Sequence, residues 1–106
     1  MFYNDFLAKI EAKIPFTENE KEDLFHEELF DDEYIDFEVV SEYDGDWSRW
    51  THDYTKVFRI NGRYFECYAS LGNTEMQENE YWYDPIEVTP ITKVVTVTEY
   101  VPIGTT

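Results

Sequence analysis

A continuous acidic segment, residues 18–46, constrains this chain more than any other feature. It contains fourteen of the twenty-four carboxylates and one basic residue, Lys21, so it carries 14 − 1 = 13 of the sixteen net negative charges. Residues 47–106 hold eight acidic and five basic residues, and residues 1–17 are neutral. Like charges at this density repel one another and weaken a compact state. Acidity that served only solubility would spread along the chain, so the clustering indicates a dedicated acidic surface.

Aromatic residues make up 19% of the chain, which separates it from disordered acidic proteins, since those are poor in aromatics. Its 106 residues suffice for a single domain, 1–106, with one core. The net charge argues against direct binding to nucleic acid or to anionic membranes, because both are polyanions. The lone Cys67, the lack of a signal peptide and the lack of a transmembrane-length apolar run favour a reducing cytoplasm.

Two helices are predicted in the first third of the chain. Apolar residues spaced for one helical face precede Pro15, and Thr17 and Glu20 fit a capping box that opens a second helix over 17–31. At 100° per residue, four carboxylates of that helix share one ridge, roughly 16 Å long with a carboxylate about every 5–6 Å. Like charges at this spacing destabilise a helix, so folding alone gives no reason for them. The ridge comprises Glu20, Asp23, Glu27 and Asp31.

The stretch from Tyr34 to Tyr43 alternates with period two and predicts a half-buried strand. Asp44-Gly45 is a hairpin signal, and a two-residue turn there would pair Tyr43 with Asp46. That register predicts Trp50, His52 and Tyr54 on the core face. The predicted outer face carries a second carboxylate row beside Trp47. This row comprises Asp36, Glu38, Glu42 and Asp53.

A second hairpin signal, Asn61-Gly62, pairs Phe58 with Phe65 on one face and Arg59 with Tyr64 on the other. Further on, 92–101 is rich in Val and Thr and predicts a strand that ends before Pro102. Together these elements predict an α+β fold in which two N-terminal helices pack on a four- to five-stranded antiparallel sheet.

The sequence lacks the motifs that carry catalysis or tight metal binding. His26-Glu27-Glu28 resembles the start of a zinc-protease motif, but position 30 is Phe where a second His is needed. Asp44-Gly45-Asp46 does not continue into a calcium loop, since the twelfth position is Thr55. We therefore expect no enzyme activity and no cofactor, with Cys67 a structural thiol. Weak Ca²⁺ or Mg²⁺ binding by the acidic segment as a whole stays open.

Aromatic side chains beside the acidic residues are candidate anchors for a partner. Phe30 falls near the acidic side of the predicted second helix, and Trp47 falls beside Glu42 on the predicted outer face. A run at 81–83 adds Tyr, Trp and Tyr. Aromatics in a polar surround are a common form of interaction hot spot, although most aromatics at this density form the core. An exposed one would supply affinity while carboxylates supply steering.

In size, charge and aromatic content the chain resembles small acidic accessory proteins of bacteriophages, including anti-CRISPR and anti-restriction proteins that imitate DNA. The run DPIEVTPITKVVTVTEYVP (84–102) is also similar to the tails of small phage proteins of Gram-positive hosts. The resemblance implies a non-enzymatic inhibitor in the cytoplasm of a bacterial host cell. It also implies that the partner is a basic nucleic-acid-binding protein, such as a CRISPR effector nuclease. Two alternatives remain: an interaction or regulatory module whose partner does not bind nucleic acid, and a solubilising surface.

Overall fold

The computed structural model describes residues 1–73, 78–81 and 83–104, so Trp82 of the predicted aromatic run lies outside the described residues. Within them, two helices precede a four-stranded antiparallel sheet whose strands lie in chain order. This confirms the predicted α+β class. The elements are α1 (Tyr3–Ala12), α2 (Glu18–Phe25), β1 (Phe37–Trp47), β2 (Thr51–Ile60), β3 (Arg63–Gly72) and β4 (Ile86–Val88).

The start of α2 is fixed by the capping box that the sequence predicts. Thr17 Oγ1 accepts a hydrogen bond from the Glu20 N–H at 3.1 Å, and Glu20 Oε1 accepts one from the Thr17 N–H at 2.8 Å. Each side chain satisfies a backbone donor that the first helical turn leaves free. The local sequence therefore determines where this helix begins.

The end of α2 differs from the prediction of a helix over 17–31, because the helix stops at residue 25. Glu27 adopts a left-handed conformation with φ 65°. Its N–H donates to the Leu24 carbonyl at 3.0 Å, and the Glu28 N–H donates to the Asp23 carbonyl at 2.7 Å. This pair of bonds is the Schellman arrangement that closes a helix and reverses the chain.

The β2–β3 hairpin follows the prediction. Asn61 and Gly62 both have positive φ, 48° and 81°, as a type I′ turn requires. Phe58 lies opposite Phe65, and Arg59 lies opposite Tyr64, so the two pairs occupy opposite faces of the sheet.

The predicted turn at Asp44-Gly45 is wrong: both residues lie inside β1, and the chain reverses over 48–50 instead. Ser48 closes this loop through two bonds, since its N–H donates to the Thr51 carbonyl at 2.8 Å and its Oγ accepts from the Thr51 N–H at 3.1 Å. Trp50 therefore lies in an exposed loop rather than on the core face. The loop hydrogen bonds and the longer β1–β2 ladder outweigh the turn preference of the Asp-Gly dipeptide.

Strand β1 contains an irregularity at Val40 that reverses which residues face the helices. Val39 lies opposite Phe58, but Ser41 lies opposite Val57, so one extra residue is inserted in β1. Side chains alternate along a strand, and a single inserted residue moves every later side chain to the opposite face.

The core lies between the helices and one face of the sheet, which we call the helix face. Phe6 of α1 contacts Phe65 of β3 with ring centroids 4.9 Å apart, and both are fully buried. Beyond α2 the chain returns across this core and buries Leu29. In the part of the chain that the structure describes, no helix packs on the other face of the sheet, which we call the open face.

No helix in the described ranges is both long and apolar enough to cross a bilayer. The segment 89–102 forms neither helix nor strand, so the strand predicted over 92–101 is wrong for the single chain. Its apolar residues have no partner strand among the described residues to complete a ladder.

Candidate functional site

The predicted helical row does not form one ridge, because α2 ends before two of its four members. Asp23 is exposed on α2, whereas Glu27 lies in the turn that follows the helix. Asp31 lies further along and pairs with the Met1 ammonium group at 2.5 Å. The regular carboxylate spacing predicted from an extended helix is therefore absent.

Glu20, the fourth member of that row, holds the fold together. Besides capping α2, its Oε1 lies 2.8 Å from Lys9 Nζ, which ties α2 to α1. Partial burial of Glu20 acts to raise its pKa, but the hydrogen bonds from Lys9 and Thr17 outweigh it and lower the pKa below its ordinary value. Lys9 therefore neutralises part of the charge of this residue.

The predicted strand row is divided between the two faces of the sheet. Glu38 precedes the irregularity at Val40 and pairs with Arg59. Glu42 follows it and faces Lys56, whose Nζ donates to the Phe25 carbonyl on the helix face. The inserted residue thus separates two carboxylates that strict alternation would place together.

The other two members of the strand row also lie apart. Asp36 precedes β1. Its N–H donates to Asn61 Oδ1 at 3.1 Å, and its carbonyl accepts a hydrogen bond from the Asn61 N–H at 2.9 Å. Asp53 is exposed opposite Ser70 in the β2–β3 ladder, on the open face. Only Asp53 of the four belongs to the open-face groove described below.

The two predicted anchors have different environments. Phe30 packs into the core, with its ring 5.2 Å from the Phe6 ring and 5.8 Å from the Tyr3 and Phe37 rings, so it is not an exposed anchor. Trp47 is 63% exposed and stacks on the His52 imidazole at 4.0 Å with an interplanar angle of 8°. Of the two, Trp47 alone offers an aromatic surface to a partner.

A group of exposed carboxylates surrounds the end of α2, and we call it the α2 patch. None of its members forms an ion pair with another described residue. The last turn of α2 contains no basic residue, so these charges lie at the negative end of the helix dipole. The α2 patch comprises Glu22, Asp23, Glu27 and Glu28.

The open face carries a groove of about 410 Å³ that the sequence analysis did not identify. Three tyrosines line it, and the rings of Tyr68 and Tyr83 meet edge to face at 6.0 Å. The pKa of Tyr68 is raised, mainly by its hydrogen bond to Glu66 and to a smaller extent by partial burial. This hydroxyl therefore stays neutral. The groove is lined by Tyr43, Tyr68, Tyr83, Asp46, Asp53 and Glu80, together with Gly45, Thr55, Ala69 and Ser70.

A signal for this groove was present in the sequence. The Arg59–Tyr64 pairing placed Tyr64 on the outer face, and alternation along the same strand places Tyr68 there too. Tyr43 could not be assigned in the same way, because its face depends on the irregularity at Val40.

The cysteine and the two histidines, which are the candidate reactive groups, are each buried or hydrogen-bonded within the fold. Cys67 is buried, and desolvation raises the pKa of its thiol to about 12, so it stays protonated at neutral pH. His26 Nε2 lies 2.9 Å from the buried Tyr81 hydroxyl, and His52 Nδ1 lies 2.6 Å from Asn73 Oδ1. Within the described ranges, no three His, Cys, Asp or Glu side chains are arranged to hold a metal ion.

No family model, no curated protein and no solved structure matches this chain.

Proposed function

We propose that this protein is a non-enzymatic inhibitor of a bacterial defence nuclease, of the anti-CRISPR kind, which acts as a nucleic-acid mimic. Its acidic surface would occupy the basic groove in which the partner binds DNA or RNA. The observation that carries the proposal is the concentration of thirteen of sixteen net charges in residues 18–46, with the α2 patch forming no ion pair to another described residue. Among the described residues, no other feature indicates so clearly what kind of partner the protein would bind.

The α2 patch supports the proposal because it opposes folding. Negative charges near a helix C-terminus each cost about 0.3–1 kcal/mol, and a non-glycine residue in the left-handed region costs about 1–2 kcal/mol. Glu22 and Asp23 incur the first cost, and Glu27 incurs the second. Residues that weaken the fold without a structural return are typical of binding surfaces.

The mechanism follows from electrostatics. A basic groove attracts phosphate rows through long-range steering, and exposed carboxylates attract the same groove by the same field. Of the ten candidate contact residues, Asp23 and Glu27 are the most available on the α2 side. Glu20, Asp31, Glu38 and Glu42 already bond a cation within the chain, so their charge is partly neutralised.

Charge reversal tests the proposal. Asp23→Lys/Glu27→Lys should weaken capture of a nucleic-acid-binding protein from bacterial lysate by at least tenfold, with the melting temperature retained or raised, because lysine at the end of α2 suits the helix dipole. The matched control is Asp53→Lys/Glu80→Lys, which changes the net charge equally but alters the open-face groove. Glu20 is left unchanged, because its reversal would disrupt the capping box and the Lys9 pair.

Competition distinguishes mimicry from ion exchange. Duplex DNA or guide RNA should elute the partner at concentrations at which polyglutamate of equal charge does not. Elution by both polyanions, or equal loss of capture in both double variants, would leave only nonspecific attraction and would contradict the proposal.

The open-face groove favours a second candidate, an interaction module whose partner does not bind nucleic acid. Its tyrosine rings and carboxylates suit a lysine or arginine side chain, which can stack on a ring while pairing with a carboxylate. In that case the partner resists elution by DNA, and the groove variant loses binding while the α2-patch variant keeps it.

A further inference from the structure

The segment 89–104 exposes many apolar side chains that the proposed function leaves unused. Seven of its apolar side chains are each at least 73% exposed. The Cα radius of gyration is 19.0 Å, against about 13 Å for a compact domain of this length. Soluble proteins rarely expose so many apolar residues together unless they form an interface. The seven are Ile91, Val94, Val95, Val97, Tyr100, Val101 and Ile103.

The pattern of this segment is that of a strand. Odd positions are mostly apolar, as in Val95 and Val97, while even positions are mostly threonine, as in Thr96 and Thr98. Alternation of this kind is typical of a strand with one buried face. Pro90 and Pro102 bound it, and neither can donate a ladder hydrogen bond.

The segment is complementary to itself when a second copy runs antiparallel and the register centres on Thr96. In that register each position pairs with the one equally far from Thr96 on the opposite side. Lys93 then faces Glu99 twice, once in each direction, and the two prolines also coincide. The remaining pairs are Ile91 with Val101, Thr92 with Tyr100, Val94 with Thr98, and Val95 with Val97.

These pairs are of the kinds that stabilise antiparallel strands: β-branched with β-branched, aromatic with β-branched, and opposite charges. A parallel arrangement in register would instead place Lys93 beside Lys93 and Glu99 beside Glu99, which is unfavourable. Sequence symmetry and charge thus select the same arrangement.

We infer that residues 91–101 pair with the same segment of a second copy as an antiparallel two-stranded ribbon. The choice of partner rests on charge as well as symmetry. The segment holds one Lys and one Glu and is neutral, whereas each whole chain carries −16. Two chains therefore attract through these segments while their acidic bodies stay apart. A two-stranded ribbon is marginal alone, so the dimer is concentration-dependent.

Charge swapping of the full-length chain tests this pairing. Lys93→Glu and Glu99→Lys each place like charges opposite one another twice, and should each weaken dimerisation roughly tenfold by sedimentation velocity. A 1:1 mixture of the two variants should dimerise as well as the wild type, because every cross-strand pair is then opposite in charge. The double variant Lys93→Glu/Glu99→Lys should also match the wild type at unchanged net charge.

The measurement uses about 0.15 M salt, where the Debye length of about 8 Å exceeds a cross-strand separation of about 5 Å. Repulsion between the more distant acidic bodies is screened under these conditions. A wild type that is monomeric up to 1 mM, or a mixture that fails to dimerise while the wild type does, would overturn the inference.

Cross-linking gives an independent readout of the register. Thr96→Cys places two thiols opposite each other across the two-fold axis and should form a covalent dimer under mild oxidation. Thr98→Cys is the control, since in this register residue 98 faces Val94 and its two copies lie roughly 13 Å apart. Cys67 does not compete, because it is buried and its thiol has a pKa raised to about 12. Equal cross-linking of both variants would exclude the register.

Discussion

Individual carboxylates in this protein divide into those that stabilise the fold and those that oppose it. Glu20 caps α2 and pairs with Lys9, and Glu87 forms a bidentate pair with Arg63 at 2.6 and 3.0 Å. In both residues the hydrogen bonds of the basic partner lower the pKa of the carboxyl against the effect of burial. Glu27 instead opposes folding, because it occupies a left-handed position that glycine fills at less cost.

Replacing Glu27 with glycine should therefore stabilise the protein. Glu27→Gly relieves the left-handed strain and removes one charge from the negative end of α2, and we expect a gain of roughly 1 kcal/mol, or about 4–8 °C in melting temperature. Thermal and urea unfolding measure it. Glu28→Gly is the matched control, since φ is not positive there and the added backbone freedom should lower stability. A destabilised Glu27→Gly variant would show that its carboxylate makes a contact important for folding.

The elements of the sheet show how one inserted residue changes a surface. The irregularity at Val40 sends Glu42 to Lys56 on the helix face and leaves Tyr43 on the open face, where it lines the groove. A second irregularity between Asp44 and Trp47 lets β1 continue to the Ser48 loop. The acidic segment thus contributes to both faces instead of forming a single row.

Gly45 and Gly62 each follow an Asp or Asn in a hairpin signal, but replacing them with alanine should affect stability differently. Gly62→Ala should cost about 1 kcal/mol or more, because φ is +81° there. Gly45→Ala should change stability by less than about 0.5 kcal/mol, since Gly45 lies in β1 and an added Cβ would be 3.4 Å from the Asp53 Cβ and carbonyl oxygen. Urea midpoints of the two variants provide the comparison. Equal losses would mean that Gly45 also occupies a turn.

The whole molecule combines a small aromatic core with a large excess of negative charge. Among the described residues, the largest fully buried side chains include three phenylalanines, Phe6, Phe58 and Phe65. The net charge of −16 acts across the entire surface, and the pairs made by Lys9, Lys56, Arg59 and Arg63 neutralise part of it. Long-range repulsion should therefore limit stability at low ionic strength.

Salt should stabilise this protein. Between 20 mM and 500 mM NaCl the melting temperature should rise by several degrees, because screening of the net repulsion outweighs the loss of a few surface ion pairs. Differential scanning calorimetry measures the change. The Asp23→Lys/Glu27→Lys variant, four charge units less negative, should show a smaller rise. A fall in melting temperature with salt would indicate that the ion pairs dominate.

The sequence by itself determined the features whose cause is local. The capping box at Thr17, the type I′ turn at Asn61-Gly62 and the pairing of Phe58 with Phe65 all follow from residues close together in the chain. The α+β class follows from them and from the hydrophobic periodicity. In the capping box and the hairpin turn, the hydrogen bonds or dihedral angles involved span only a few residues.

Only the tertiary structure decided the features whose cause is distant. Phe30 packs against Phe6 because the chain returns across a shared core after α2, and the irregularity at Val40 is defined by the pairing of β1 with β2. The pairing of Glu20 with Lys9 depends on how α1 meets α2. Helical and strand periodicity place side chains relative to their own element alone. Packing between elements then decides which side chains meet and which carboxylates remain exposed.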